Sequence, residues 1–328
     1  MPDRIVVLDG YTLTPAKPGQ AAMEGEPGWD ALSALGEMTV YERTPPGEVV
    51  DRAAGASIVI TNKTPLPAEI IQQLPGLTYI GVLATGVNVV DLGAAREAGV
   101  VVTNVPGYSG DAVAQHVFAL LFEMTNQVAA HDRAVHDGGW AGCEDFSFTL
   151  GPITELAGKT LGVFGAGDIG RRVATIGHAL GMDILVSSRT QRDMGVPAKW
   201  TDVDGMFEQA DVVTLHAPLT NETKHLVNEV RLSRMKPSAY LINTARGPLI
   251  DEAALAEALR ADKITGAAMD VLSTEPPAAD NPLLTAPRCI ITPHNAWATV
   301  EARQRLMQIA TANVQAFMAG QSINQVIQ

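Results

Sequence analysis

KTLGVFGAGDIGRRVATIGHAL, residues 159–180, is the stretch that decides the fold. It opens with an apolar run, 160–164, short enough to be a buried strand; Gly165, Gly167 and Gly170 follow at GxGxxG spacing, and a helical pattern with small residues comes after them. In that setting each glycine has a mechanical use. Gly165 allows a tight turn, Gly167 lets backbone approach a diphosphate, and Gly170 lets the helix lie close on the sheet. The amides that open the helix then face the anion. A bare GxGxxG string carries little weight; a strand before it and a helix behind it make the reading specific.

Such a turn predicts a carboxylate about 20 residues further on, at the end of the next strand, to hold the ribose hydroxyls of an adenine dinucleotide. The next strand is read at 183–187, and it runs out through Ser187, Ser188, Arg189 and Thr190 without an acid. A small hydroxyl at Ser188 leaves room for a 2′-phosphate, and Arg189 supplies a forked cation for it. NADP(H) is therefore the expected cofactor, with NAD(H) as the alternative if Arg189 is only a solvated loop residue.

With 328 residues, 46% hydrophobic and 18% charged, the chain has the composition of a globular protein and the length for two domains, each with its own core. Its formal charge of −13 argues against a nucleic-acid surface, so any anion site has to be built locally. Cys143 and Cys289 are too few for a disulfide framework or a metal knuckle, and no metal centre is expected. The start, MPDRIVVLDG, reads as a strand rather than a signal peptide, and no apolar run is long enough for a bilayer. These features point to a cytoplasmic protein without a membrane partner.

Working outward from the glycine stretch, short apolar strands alternate with helical segments along almost the whole chain. Strands are read at 5–8, 39–41, 57–61, 77–83 and 100–103, with a Pro/Gly-rich loop running to Gly28 and helices at 67–73 and 90–98. A long helix is read at 111–131, with Val113, Val117, Leu120, Leu121 and Met124 at core spacing. His116, His131 and His136, on or after it, read as structural or solvent-facing. Beyond the glycines come strands at 211–217, 239–244, 265–271 and 289–292, helices at 203–209 and 252–261, and a last helix at 300–318. Alternation of this kind makes parallel, doubly wound sheets. Between the long helix and the glycine stretch, residues 137–152, DGGWAGCEDFSFTLGP, have no period and gather Trp140, Phe146 and Phe148. So aromatic a loop is expected to make a homodimer contact, with Trp140 reaching toward the neighbour's site.

In open sheets of this type ligands bind beyond the carboxyl ends of the strands. In the first half those ends carry Thr61-Asn62-Lys63-Thr64 and Leu83-Ala84-Thr85-Gly86, the second a small-residue turn suited to offering amides to a carboxylate. In the second half they carry 243–247 (NTARG), 269–276 (MDVLSTEP) and 292–296 (TPHNA). Arg246, Glu275 and His294 can therefore meet at one point. Hydride delivered to a ketone leaves an alkoxide, so such a site needs a proton donor and a cation beside the oxygen. His294 suits the donor, Glu275 the carboxylate that favours its charged form, and Arg246 the fork that grips a carboxylate and the adjacent carbonyl. Asp270 could accept from a nicotinamide amide. Each has a plain alternative as a turn cap, a loop acid or a buried histidine; the three types at three consecutive strand ends favour chemistry.

GAGDIGRRVA, LHAPLTNETKHLVN, LINTARGPLIDEAAL, AMDVLSTEPP and TPHNAWAT resemble the D-isomer-specific 2-hydroxyacid dehydrogenases, in order and over nearly the whole chain. VLDGYTLTP, TNKTPL, IGVLATGVNVVD and VTNVPGYSGDAVAQHVFAL resemble its glycerate dehydrogenase, or hydroxypyruvate reductase, branch. The resemblance implies that Arg246, Glu275 and His294 are the catalytic trio, with His294 as acid and base. It implies that Asp168 and Ile169 line the pyrophosphate turn, that His216, Ala217 and Pro218 flank the adenosine side, and that Thr223 and Ala296 also bind the cofactor. It places Thr244 and Ala245 near the nicotinamide ribose, Asp270 on its amide, and the amides of Ala84, Thr85 and Gly86 on the substrate carboxylate. The missing acid at Ser188 departs from the family's NAD preference. Glu275, where formate-using relatives carry glutamine, argues against formate, and the lack of an extension after the last helix argues against an elongated phosphoglycerate dehydrogenase.

The fold expected is α/β, with two doubly wound parallel-sheet domains and a cleft between them. Residues 1–107 with 299–328 would form a flavodoxin-like substrate domain and 108–298 a Rossmann-like dinucleotide domain, with hinges near Gly107 and Thr299. The activity expected is reduction of hydroxypyruvate and glyoxylate to D-glycerate and glycolate. A broad 2-oxo-acid reductase is the runner-up, and a dinucleotide-sensing binding protein without turnover is the rival from another class.

Overall fold

The structure, a computed structural model, describes residues 3–13, 25 and 27–326. Most of the loop expected to run to Gly28 lies outside the described residues. The chain divides into two compact units, 1–109 with 298–328, and 110–297.

In the first unit the elements run β1 (Arg4–Val7), α1 (Asp30–Ser33), β2 (Glu37–Val40), α2 (Val49–Ala53), β3 (Ile58–Thr61), α3 (Ala68–Ile71), β4 (Tyr79–Val82), α4 (Leu92–Glu97) and β5 (Val101–Thr103). All neighbouring strands pair parallel in the order β2-β1-β3-β4-β5, so the chain reverses its direction of winding between β1 and β3. That is the flavodoxin-like order, and the reversal opens a crevice at the carboxyl ends of β1 and β3. Strands β3 and β4 are buried along their full length, as parallel strands covered on both faces must be.

The second unit begins with α5 (Gly110–Asn126) and α6 (Val128–His136) and continues through β6 (Thr160–Phe164), α7 (Asp168–Ala179), β7 (Asp183–Ser187), β8 (Lys199–Trp200), α8 (Val203–Gln209), β9 (Val212–Leu215), α9 (Glu229–Arg234), β10 (Tyr240–Asn243), α10 (Glu252–Arg260), β11 (Gly266–Met269) and β12 (Cys289–Ile291). The last helix, α11 (Val300–Met318), returns to the first unit. The second sheet has the parallel order β12-β11-β10-β9-β6-β7-β8. Alternate residues of each strand feed opposite faces: Val213, Leu241, Ala267 and Met269 join one apolar core, and Val212, Ile242 and Ala268 join the other. Each buried Val, Leu, Ile or Met among them contributes about 1.5–3 kcal/mol relative to exposure, and each alanine less, which makes this sheet the rigid platform of the site.

Two expectations need correction. The helix expected over 111–131 is two helices, broken at Gln127, which takes a left-handed φ of 52°. The break is stabilised locally, because the Glu123 carboxylate accepts from the Ala129 amide and the Gln127 side chain donates to the Pro152 carbonyl. Helix α9, between β9 and β10, was not expected; Asn228 caps it by accepting from the Arg231 amide at 3.1 Å.

Candidate active site

The glycine turn has the form that its spacing predicts. Gly165 stands at φ +106°, where a Cβ would meet the His216 carbonyl at 2.7 Å, and at Gly170 a Cβ would overlap the Gly165 carbonyl. A Cβ at Gly167, by contrast, would meet no other group within 4 Å: this glycine borders open space at the start of α7, where a diphosphate would lie. Asp168 beside it is neutralised by Arg172, which also pairs with Asp111. Ile169 follows in the first turn of α7.

Because every strand of this sheet is parallel, the remaining candidates emerge on the same edge. Ser188 and Arg189 leave β7, the first half-buried and the second exposed. His216 and Ala217 leave β9, and burial pushes the His216 imidazole down to about 3, so the ring is uncharged near pH 7. Thr223 turns its hydroxyl inward, donating to the Pro218 carbonyl and accepting from the Thr220 amide. It closes the 218–223 turn.

Thr244, at the end of β10, is buried, and its hydroxyl has no hydrogen-bond partner. A buried hydroxyl without a partner is costly, on the order of 1–3 kcal/mol. A ribose hydroxyl at this edge would satisfy it. Together with the open space at Gly167, this observation shows that the residues present fit a dinucleotide.

Arg246 follows two residues later, exposed, with Nη1 donating to the Ala245 carbonyl. Its turn is held from below by Asn243, fully buried, whose amide donates to the Arg246 carbonyl and accepts from the Ala245 N–H. A Cβ at Gly247 would overlap the Leu272 backbone, so the loop that carries Arg246 lies directly against the loop that carries Glu275. Glu275 is fixed in turn: Oε1 accepts from the Leu272 amide at 3.0 Å, and Oε2 lies 2.6 Å from His294 Nδ1.

His294 occupies a left-handed backbone conformation, φ 52°, which a residue with a Cβ adopts at a cost. Asp270 holds it there. The Asp270 carbonyl accepts from the His294 amide, and its carboxylate accepts from the amides of Asn295 and Ala296 and from the Thr292 hydroxyl at 2.6 Å. That hydroxyl's one hydrogen is spent on Asp270, so the contact at 3.0 Å between Thr292 Oγ1 and His116 Nε2 requires the ring to donate. His116 is thus structural, at the rear of the site. Asp270, expected on a nicotinamide amide, and Ala296, expected among the cofactor contacts, bond each other here, the Ala296 amide donating to the Asp270 carboxylate at 3.0 Å.

In the first unit, Ala84, Thr85 and Gly86 form the turn after β4. Thr85 Oγ1 donates to the Val105 carbonyl, and Asn104 donates to the Thr85 carbonyl. The neighbouring 61–64 loop directs its amides at Asp9, not at open space. Asn243, Thr292 and Asp9 were not singled out from the sequence. Their common signal is a polar residue at the end of an apolar strand, whose side chain bonds the loop that follows its own strand or a neighbouring one. Among the described residues no group of three or more His, Cys, Asp or Glu could hold a metal, and no helix is long and apolar enough to cross a membrane.

Residues 118–296 match the family described as D-isomer specific 2-hydroxyacid dehydrogenase, NAD binding domain. The chain is 42% identical over 328 residues to a hydroxypyruvate reductase of Blautia hydrogenotrophica, covering 98% of this chain and 99% of that one. It is 42% identical over 293 residues to a glycerate dehydrogenase of Methylorubrum extorquens, covering 88% and 92%. Among solved structures, an acyclic imino acid reductase (Bsp5) in complex with NADPH and D-Arg superposes with a TM-score of 0.84 at 30% identity, covering 99% and 100%. Glycine turn, paired imidazole and carboxylate, and these likenesses over both units agree: the chain belongs to the D-isomer specific 2-hydroxyacid dehydrogenase family.

Proposed function

We propose that the protein is an NAD(P)H-dependent reductase of small 2-oxo acids, hydroxypyruvate and glyoxylate first, giving D-glycerate and glycolate. The observation that carries this reading is the 2.6 Å pair of His294 Nδ1 and Glu275 Oε2, set beside the Arg246 loop on the sheet edge that also bears the glycine turn. A bound reduced nicotinamide supplies the hydride. The chain supplies the rest. Arg246 forks onto the carboxylate and the carbonyl oxygen and stabilises the negative charge that develops there. His294, with Nδ1 committed to Glu275, delivers the proton from Nε2 to that oxygen, and Glu275 compensates the charge of the ring. Ala84, Thr85 and Gly86 offer amides to the substrate carboxylate.

NADP(H) is the preferred cofactor in this reading. Support comes from the absence of an acid at Ser188, from the exposed Arg189 beside it, and from an NADPH complex of a relative with the same fold. The first unit takes the substrate, the second the dinucleotide, and the molecule works as a cytoplasmic homodimer. The test is a rate matrix: hydroxypyruvate, glyoxylate, pyruvate and longer 2-oxo acids, each with NADPH and NADH. Highest kcat/KM with hydroxypyruvate or glyoxylate is expected. Equal efficiency with longer acids would make it a broad reductase, and no turnover of any 2-oxo acid would overturn the reading.

A further inference from the structure

The crevice where the first sheet reverses its winding, between the carboxyl ends of β1 and β3, is where an open sheet of this order usually takes its ligand. Here the chain has plugged it. Asp9 is 1% exposed, and its carboxylate receives the three consecutive amides of the 61–64 loop: Asn62 at 2.9 Å on Oδ1, Lys63 at 2.5 Å and Thr64 at 2.8 Å on Oδ2. Successive N–H groups converging in this way form an anion nest. The anion in it belongs to the protein.

What the filled nest holds in place is informative. Asn62, also buried, points its side-chain amide across to β4 and donates to the Leu83 carbonyl at 2.9 Å, while the Leu83 amide donates to the Thr61 carbonyl at 2.8 Å. The next residues are Ala84, Thr85 and Gly86. Their other flank is tied to the loop after β5, through the Val105 amide on the Ala84 carbonyl and Asn104 on the Thr85 carbonyl. The turn is therefore gripped from both sides, and on the β3 side the grip runs through Asn62 to Asp9.

We propose that Asp9 is a positioning residue for the substrate carboxylate: by occupying the nest of Asn62, Lys63 and Thr64 amides it fixes Asn62 as a strut under the turn of Ala84, Thr85 and Gly86. The proposal rests on the reading of that turn as the carboxylate site. A ligand held by backbone amides depends on their aim, and a shift of about 1 Å is enough to cost substantial transition-state binding. Replacing Asp9 by Asn turns an NH2 group against N–H donors and opens the nest. Asn62→Ala leaves the nest closed, since the amide it uses is backbone, and removes only the strut.

The experiment measures KM for the preferred 2-oxo acid, Ki for oxamate as a carboxylate analogue, kcat, and cofactor Kd by fluorescence titration. It uses the full chain and the variants Asp9→Asn, Asn62→Ala, Gly86→Pro and, as a control elsewhere in the first unit, Ser57→Ala, which loses the hydroxyl's contacts with the Asp3 carboxylate and the Arg4 carbonyl and none with the nest or the strut. Expected are about tenfold increases in KM and Ki for Asp9→Asn and Asn62→Ala, with kcat within about threefold and cofactor Kd unchanged, and wild-type constants for Ser57→Ala. If Gly86→Pro raises KM while Asn62→Ala and any folded Asp9→Asn do not, Asp9 is only a structural cap and this proposal alone fails. If Gly86→Pro leaves KM and Ki unchanged, the turn does not hold the carboxylate and both readings fall. Loss of cofactor affinity in parallel with KM would also overturn it, because the effect would then not be confined to the first unit.

Discussion

His294 Nδ1 lies 2.6 Å from Glu275 Oε2, so the carboxylate orients the imidazole and leaves Nε2 as the ring nitrogen without that partner. Substituting His294→Ala should slow 2-oxo-acid reduction by roughly 10²-fold or more, the range for a lost acid/base, with cofactor Kd nearly kept. Glu275→Gln keeps the ring in place but removes the compensating charge, so kcat should fall while KM changes less. Steady-state rates with parallel cofactor titration check both, and unchanged turnover in His294→Ala would refute the assignment.

Arg246 makes a different prediction, because what it offers is a planar fork. Arg246→Lys keeps the charge and loses the second donor pair, so it should cost about 10- to 100-fold in kcat/KM, a loss of about 1.5–3 kcal/mol for a hydrogen bond to a charged group. Guanidine added to Arg246→Ala should restore part of the rate. A lysine variant with wild-type efficiency would place the substrate's carboxylate elsewhere.

These residues were legible in the sequence because strand ends in a parallel sheet are predictable: the apolar runs before Arg246, Asp270 and His294 fix where the chain emerges. The glycine turn was legible for the same reason. The bonds from side chains to backbone that hold these turns were not. No periodicity reveals that Asn243 bonds backbone beneath Arg246, that Asp270 holds His294 at a left-handed φ, or that Glu123 caps a helix beginning after Gln127. Each depends on side chains meeting backbone at places set by tertiary packing. Helix α9 is a different kind of omission: its Asn228 cap was present in the sequence, but the helix is too short for its apolar pattern to stand out.

Arg189 follows Ser188 at the end of β7, and its charge also reaches Glu222, whose carboxyl is held down first by the Thr220 hydroxyl and lastly by this guanidinium. Arg189→Ala should lower kcat/KM for NADPH by about tenfold or more while leaving NADH within about threefold. Ser188→Asp should push the preference toward NADH, by repelling a 2′-phosphate and accepting from a ribose hydroxyl. Glu222→Gln, freeing Arg189 from a competing carboxylate, should favour NADPH further. A wild-type preference of tenfold for NADH would reverse the cofactor assignment.

His216 links acid stability to the cofactor edge. Burial pushes its imidazole down to about 3, against about 6.5 in the unfolded chain, so between those values the unfolded state binds the extra proton. Stability from this group is complete above pH 6.5 and is lost progressively as pH falls toward 3, on the order of 3 kcal/mol of it by pH 4.5. Other groups titrate in the same range, so the decisive quantity is a difference. From pH 7 to pH 4.5 the wild-type Tm should fall further than that of His216→Gln, whose amide can still bond Thr214. Parallel falls would show that the ring protonates in the folded state.

Between α6 and β6 the chain exposes large apolar side chains: Phe146 is 90% exposed, Ile153 54%, Trp140 53% and Leu150 50%. The segment holds its own shape, since the Trp140 indole donates to the Phe146 carbonyl at 3.0 Å and the Leu150 amide donates to His131. A preformed apolar surface of this kind fits burial against a second copy, and burying each such side chain contributes about 1.5–3 kcal/mol. Wild-type protein should run as a dimer at micromolar concentration by light scattering. Phe146→Asp combined with Ile153→Asp should run as a monomer with the far-UV circular dichroism of the parent. If Trp140 reaches the partner's site, Trp140→Ala should change KM or kcat while the dimer persists; a wild-type monomer would remove both the dimer and that role for Trp140.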